Sequence, residues 1–115
     1  MPLTIQTRQL DDIVVLECAG DLRLGETSSV FRNTFRETVK GGAKKILIDL
    51  AGVAYLDSTG IGELVGAHSI AAGAGAHIKL IRLPEKVANL LRLTRLSTVF
   101  QIHETAAEAA AAFPR

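Results

Sequence analysis

Hydrophobic and polar positions along the chain follow two different periods. Short β-branched runs are separated by longer segments in which apolar residues recur every three or four positions, a pattern typical of strands alternating with helices. The pattern predicts strands at residues 3–8, 12–19, 45–50, 77–83 and 99–102, and helices at residues 26–40, 58–72, 84–94 and 104–113. We therefore expect the order β-β-α-β-α-β-α-β-α.

The first two predicted strands follow each other closely, which favours an antiparallel hairpin. Residues 45–50 form a near-continuous apolar run, as expected for a strand buried on both faces of a partly parallel sheet. Strand–helix–strand units require right-handed crossovers. The predicted fold class is α/β, with a mixed, mostly parallel sheet of about five strands, an N-terminal antiparallel hairpin and about four flanking helices.

Length and composition restrict the classes of function that this chain can have. The chain has 115 residues, which predicts a single domain over residues 1–115. Thirteen Lys and Arg against 12 Asp and Glu leave a net charge of +1, so we expect no nucleic-acid partner. Cys18 stands alone, and neither a signal peptide nor a membrane-length apolar run is present. The sequence therefore predicts a cytoplasmic protein without direct membrane insertion.

Candidate catalytic groups are few. The three histidines, His68, His77 and His103, fall on different predicted elements at no spacing typical of a metal site. A serine-hydrolase turn would need glycine where Leu56 stands. The glycines of the Gly60–Gly66 segment resemble a dinucleotide loop, but the third is one residue late. We expect no catalytic residue, no metal and no cofactor, and hence no enzyme.

The segment between the third strand and the second helix carries the most informative polar residues. Asp57 is expected to cap the helix, with Ser58 in its first turn. One interpretation is a structural cap and nothing more. The other is that a serine hydroxyl beside free backbone N–H groups, at the positive end of the helix dipole, marks a place where a phosphate is well received.

Four segments stand in a characteristic order and spacing. They are Gly20-Asp21-Leu22, Ile46–Leu50, Leu56–Ile61, and Leu90-Leu91 through Leu96 to Phe100. The most specific part is Asp-Ser-Thr-Gly at residues 57–60. Taken together, these segments resemble the STAS domain family, and more closely the stand-alone anti-sigma factor antagonists of bacteria. The resemblance covers Leu3 to Phe113.

This resemblance implies a partner switch. The unphosphorylated antagonist binds an anti-sigma factor that is itself a serine kinase and thereby displaces the sigma factor. The kinase phosphorylates the serine matching Ser58, and a serine phosphatase reverses the modification. We expect the partner to dock over the helix N-terminus and the neighbouring Gly20–Gly25 loop. The expected partner-binding residues are Asp21, Arg23, Asp57, Ser58, Thr59, Gly60 and Gly62.

Two residues depart from the family pattern. Arg23 stands where many antagonists carry an acidic residue, which reverses the charge near the presumed acceptor. Arg95 stands where the family often has glycine, so a left-handed turn is not expected there.

Two other functions stay open at this point. The chain is also compatible with an unphosphorylated STAS adaptor subunit of a stress-sensing or lipid-transport complex. A small-molecule binder or enzyme using the Gly60–Gly66 loop is the third possibility. The sequence does not indicate the oligomeric state.

Overall fold

The computed structural model describes residues 1–114 and has the predicted α/β architecture. The elements are β1 Thr4–Leu10, β2 Ile13–Leu22, α1 Glu26–Lys40, β3 Lys45–Leu56, α2 Ser58–Gly73, β4 His77–Ile81, α3 Glu85–Leu93, a 3₁₀ helix at Leu96–Thr98, β5 Ile102–His103 and α4 Ala106–Ala112. The sheet order is β1-β2-β3-β4-β5. The first pair is antiparallel and the other pairs are parallel, which confirms the predicted fold class.

The two faces of the sheet are covered unequally. Helices α1, α2 and α3 pack on one face, where Phe31, Phe35, Leu64 and Leu91 are buried against apolar strand residues. On the other face α4 covers a smaller cluster of Val15, Leu47 and Ile81 through Ala109 and Phe113. Because β2 and β3 lie inside the sheet and are covered on both sides, their central residues are apolar with little alternation.

Several strand boundaries differ from the prediction. β3 continues to Leu56 instead of ending at Leu50, and pairs with the end of β2 across two register shifts. Ala51, Gly52, Ala54 and Tyr55 in this extension are exposed, so burial gives no sequence signal there. β4 ends at Ile81 rather than residue 83, because Arg82 adopts a left-handed conformation with φ 55°.

The predicted last strand at residues 99–102 is wrong in its bounds, since only Ile102–His103 pairs with β4. Phe100 is buried, and its ring meets the ring of His68 edge-on at 5.8 Å between centroids. This apolar residue belongs to the helical core rather than to a strand. The closing helix is also shorter than predicted. It begins only at Ala106, because the Thr105 side chain accepts a hydrogen bond from the N–H of Glu108 at 3.1 Å and caps the helix there.

The expectation for Arg95 is wrong. Arg95 has φ 62° and ψ 22°, which is left-handed despite its side chain. Its N–H donates to the carbonyl of Arg92 at 3.0 Å, and the following Leu96 packs against the core. A left-handed non-glycine residue costs about 1–2 kcal/mol. The packing of the partly buried Leu96 against the core acts in the opposite direction.

Candidate functional site

Asp57 lies between β3 and α2 and connects three elements. Its Oδ1 accepts a hydrogen bond from the N–H of Gly60 at 2.9 Å, which confirms the predicted helix cap. Its Oδ2 accepts from the N–H of Leu24, in the loop between β2 and α1, at 3.1 Å. The pKa of Asp57 is lowered, chiefly because the Gly60 N–H donates to the carboxylate. One carboxylate thus fixes the start of α2 to the neighbouring loop.

Ser58 is the first residue of α2, as predicted, and its side chain is exposed. Thr59 beside it is half-buried. The first turn of α2 contains no acidic side chain, so the positive end of the helix dipole is offset there only by the cap residue Asp57. Ser58 therefore presents a hydroxyl group to solvent at a position that tolerates added negative charge.

Gly60 has a structural role that the sequence did not indicate. It is buried, and a Cβ at this position would lie 2.2 Å from the carbonyl oxygen of Leu22 and 2.6 Å from Cδ1 of Leu56. The missing side chain makes room for this chain's own backbone. Gly62 and Gly66 differ, because a Cβ at either would meet nothing within 4 Å.

Asp21 and Arg23 lie beside the site, where the end of β2 runs along β3. The Asp21 carboxylate is already engaged, since its Oδ2 lies 2.7 Å from the Met1 ammonium nitrogen and 4.0 Å from Nε of Arg23. The Arg23 guanidinium lies over the Tyr55 ring, 5.9 Å from its centroid. Asp21 thus has less freedom to meet a partner than its position in the sequence suggests, whereas Arg23 is exposed.

Two large apolar side chains near Ser58 were not predicted from the sequence to be part of the site. Leu24 is 78% exposed and Tyr55 is 50% exposed. Leu24 is held beside Asp57 by its backbone hydrogen bond, and Tyr55 precedes the cap by two residues. Only their exposure in the folded structure marks these two residues as part of the site, and the sequence does not reveal exposure. Together with Arg23 they give this surface an apolar and aromatic character suited to protein contacts.

The structure gives less support to a metal site or to a glycine-rich ligand-binding loop. Within residues 1–114 no three His, Cys, Asp or Glu side chains come together in a way that could hold a metal ion. All the glycines of the Gly60–Gly66 segment lie inside α2, so the loop that the third possibility would use is part of a helix. In the same part of the chain, no helix combines the length and apolarity needed to span a membrane.

Residues 4–109 match the model of the STAS domain. The chain belongs to the STAS domain family. Among curated STAS relatives, the anti-sigma-B factor antagonist of Bacillus subtilis is 28% identical over 102 residues, which are 89% of this chain and 92% of that protein.

Solved STAS structures agree with the fold. The crystal structure of a candidate anti-sigma factor antagonist from Thermotoga maritima superposes with a TM-score of 0.88 and 28% identity, over 96% of this chain and 95% of that one. The Bacillus cell fate determinant SpoIIAA in its phosphorylated form superposes with a TM-score of 0.71, over 94% of this chain and 97% of that one. The latter is 17% identical and supports the fold alone.

Loss of the Asp57 cap should weaken the fold in a pH-dependent way. Asp57→Ala is expected to lower the free energy of unfolding by about 1–2 kcal/mol at pH 7, since it removes two charge-assisted hydrogen bonds. The folded-state pKa of Asp57 is lowered, so its contribution is present above the unfolded pKa and is lost as the pH falls through the folded value. Urea unfolding of wild type and Asp57→Ala at neutral and acid pH measures the difference in their free energies of unfolding.

Asp57→Asn is the matched control, because asparagine also caps helices well. It should lose less stability than Asp57→Ala at pH 7. A stability gap between wild type and Asp57→Ala that stays constant down to pH 2 would contradict the assigned role of the carboxylate charge.

Proposed function

We propose that this chain is an antagonist of an anti-sigma factor and that phosphorylation of Ser58 switches it off. The observation that carries the proposal is the exposed hydroxyl of Ser58 at the first position of α2, beside the exposed Leu24 and Tyr55. The named role of the Bacillus subtilis relative supports the antagonist function.

The local chemistry is compatible with such a switch. A phosphate on Ser58 adds about −1.5 to −2 charges next to the N-terminal N–H groups of α2, where the helix dipole favours negative charge. The fold can therefore accept the modification, while the surface that a partner would cover changes from apolar and neutral to strongly anionic. The partners in this proposal are an anti-sigma factor serine kinase and a serine phosphatase. The antagonist itself then acts by binding and needs no catalytic group.

Phosphotransfer can be tested directly. The purified chain is incubated with ATP and the anti-sigma factor kinase encoded in the same genome, and its intact mass is measured. We expect the addition of one phosphate, its loss in Ser58→Ala and its retention in Thr59→Ala. Phosphate on Thr59 instead would refute the assigned acceptor. No phosphate, with a kinase shown to be active on another substrate, would favour the unphosphorylated adaptor role.

Arg23 is expected to assist the modified state. Its guanidinium is exposed and lies over Tyr55, close to the loop that Asp57 holds, so it can form a charge-assisted pair with a phosphate on Ser58. Arg23→Asp should slow net phosphorylation by about two- to fivefold, as expected from losing an exposed ion pair. Time courses by intact mass provide the measurement. Lys86→Asp, an exposed charge reversal on α3, is the control. Wild-type rates in Arg23→Asp would show that Arg23 has no role in the modified state.

Gly62 is expected to lie in the interface with the partner. A Cβ at this exposed position meets nothing within 4 Å, so a larger side chain is accommodated by the fold but occupies space above α2. Gly62→Leu should lower partner affinity about tenfold or more, as overpacking a tight interface does. The melting temperature should not fall.

Gly73→Leu is the matched control for Gly62→Leu. Gly73 ends the same helix and is likewise exposed with nothing within 4 Å of a Cβ, but it lies at the other end of α2 from Ser58. Calorimetric titration of both variants with the anti-sigma factor should show a loss for position 62 only. Wild-type affinity in Gly62→Leu would remove Gly62 from the docking surface.

A further inference from the structure

A groove that shares no residue with the Ser58 surface opens between β4, β5 and α3. Its volume is about 720 Å³, and its wall includes Ala51 of β3 and the residues that follow β4. The carboxyl ends of parallel strands are the usual place for ligands in open α/β sheets. The groove lies at that end of β4 and β5.

The groove combines an apolar lining with cationic side chains. Leu83, Pro84, Ala88 and Ile102 supply apolar surface, and Ile102 is 38% exposed. Arg82 and Arg92 supply positive charge, and Glu104 is the one carboxylate among the lining residues. Such a lining matches a ligand that has an anionic head and a short apolar body.

Arg82 is held in place by an unusual local arrangement. Its Nη2 lies 2.8 Å from Oδ2 of Asp49, and its Nε lies 3.2 Å from the same oxygen, while the Asp49 side chain is only 5% exposed. The residue adopts a left-handed φ of 55°, a conformation that non-glycine residues seldom hold without a compensating contact. Its side chain is nevertheless 54% exposed, so a buried carboxylate positions a guanidinium that remains accessible.

We propose that this groove binds a small amphipathic carboxylate, with its head group at Arg92 and Arg82 and its alkyl part over Leu83, Ala88 and Ile102. The proposal rests on the two arginines and the apolar residues that line the groove. It does not depend on phosphorylation of Ser58. Arg92 is the residue to test, because no carboxylate lies within salt-bridge distance of it in the described chain, whereas Arg82 balances the buried Asp49.

Octanoate is the probe, titrated into the isotope-labelled full chain and followed by NMR. We expect saturable shifts of the Ala88 and Ile102 signals. Octanol and inorganic phosphate, which each lack one half of the ligand, should bind at least about tenfold more weakly. Shifts confined to the apolar groove between α1 and α2, which Phe31, Arg32 and Ile70 line, would overturn the assignment.

Substitutions test the charge component. Arg92→Gln should weaken octanoate binding about three- to tenfold, and Lys86→Gln, an exposed charge loss on the same helix outside the groove, should leave it unchanged. Glu104→Gln should tighten binding, because it removes the one carboxylate of the lining. Equal affinities in all three variants, or octanol binding as well as octanoate, would refute the proposal.

Discussion

Phosphorylation of Ser58 is expected to lower the affinity of this chain for its anti-sigma factor at least about a hundredfold. A protein interface desolvates its centre, and a phosphoserine without a basic receiver brings about −1.5 to −2 charges into it, a penalty on the order of 3 kcal/mol. At about 1.4 kcal/mol per decade this is two orders of magnitude in Kd. The exposed Leu24 and Tyr55 beside Ser58 would lose their contacts at the same time.

The same modification should leave the fold intact. The phosphate lies at the N-terminus of α2, where the helix dipole stabilises a negative charge by about 0.3–1 kcal/mol. The nearby Asp57 carboxylate opposes it by a similar amount, so the melting temperature should change by only a few degrees. Loss of affinity therefore arises at the interface and not from unfolding.

Calorimetric titration of four proteins against the anti-sigma factor measures the switch. Unmodified wild type and Ser58→Ala should bind alike, while the phosphorylated protein should bind at least about a hundredfold more weakly. Ser58→Asp carries a single charge and should fall between them. Equal affinities for phosphorylated and unmodified wild type would refute the switch, and circular dichroism of each sample separates that outcome from misfolding.

Gly60→Ala is expected to destabilise the protein by about 3 kcal/mol, at the upper end of overpacking effects. The new Cβ would lie 2.2 Å from the carbonyl oxygen of Leu22, which belongs to the sheet backbone and cannot move aside cheaply. α2 would have to shift away from β2, which would also strain the hydrogen bond from the Gly60 N–H to Asp57. Urea unfolding monitored by circular dichroism gives the change directly.

Gly62→Ala, two residues along the same helix, is the matched control. Its Cβ meets open space, so the higher helix propensity of alanine should stabilise the protein by about 0.5–1 kcal/mol. The two substitutions are chemically identical and should have opposite signs. Similar effects at both positions would mean that α2 does not begin against the end of β2 as described.

The hydrophobic pattern was sufficient for most of the architecture. The order of elements, the antiparallel hairpin and the parallel sheet all follow from local periodicity, because covered strands must be apolar and helices must bury one stripe. Asp57 was also predictable as a cap, since a short carboxylate before a helix satisfies N–H groups within three residues. These features depend on neighbours close in sequence.

The features that were predicted wrongly depend instead on contacts that form only in the folded protein. Arg82 and Arg95 both adopt left-handed conformations that their side chains disfavour. Arg82 is compensated by Asp49, which is 33 residues away in the chain, and Arg95 by the packing of Leu96. Local propensity predicts neither conformation, because the compensating contacts exist only after folding.

The amino-acid sequence by itself determined the α/β class, the position of Ser58 at the start of a helix and the family resemblance, because each rests on residue types at short spacing. Only the tertiary structure decided which glycine is structural, since Gly60 differs from Gly62 through the Leu22 carbonyl and the Leu56 side chain that the fold brings against it. It also decided which apolar residues stay exposed around Ser58 and which arginines line a groove. Those properties depend on what the rest of the chain covers, and no local pattern encodes that.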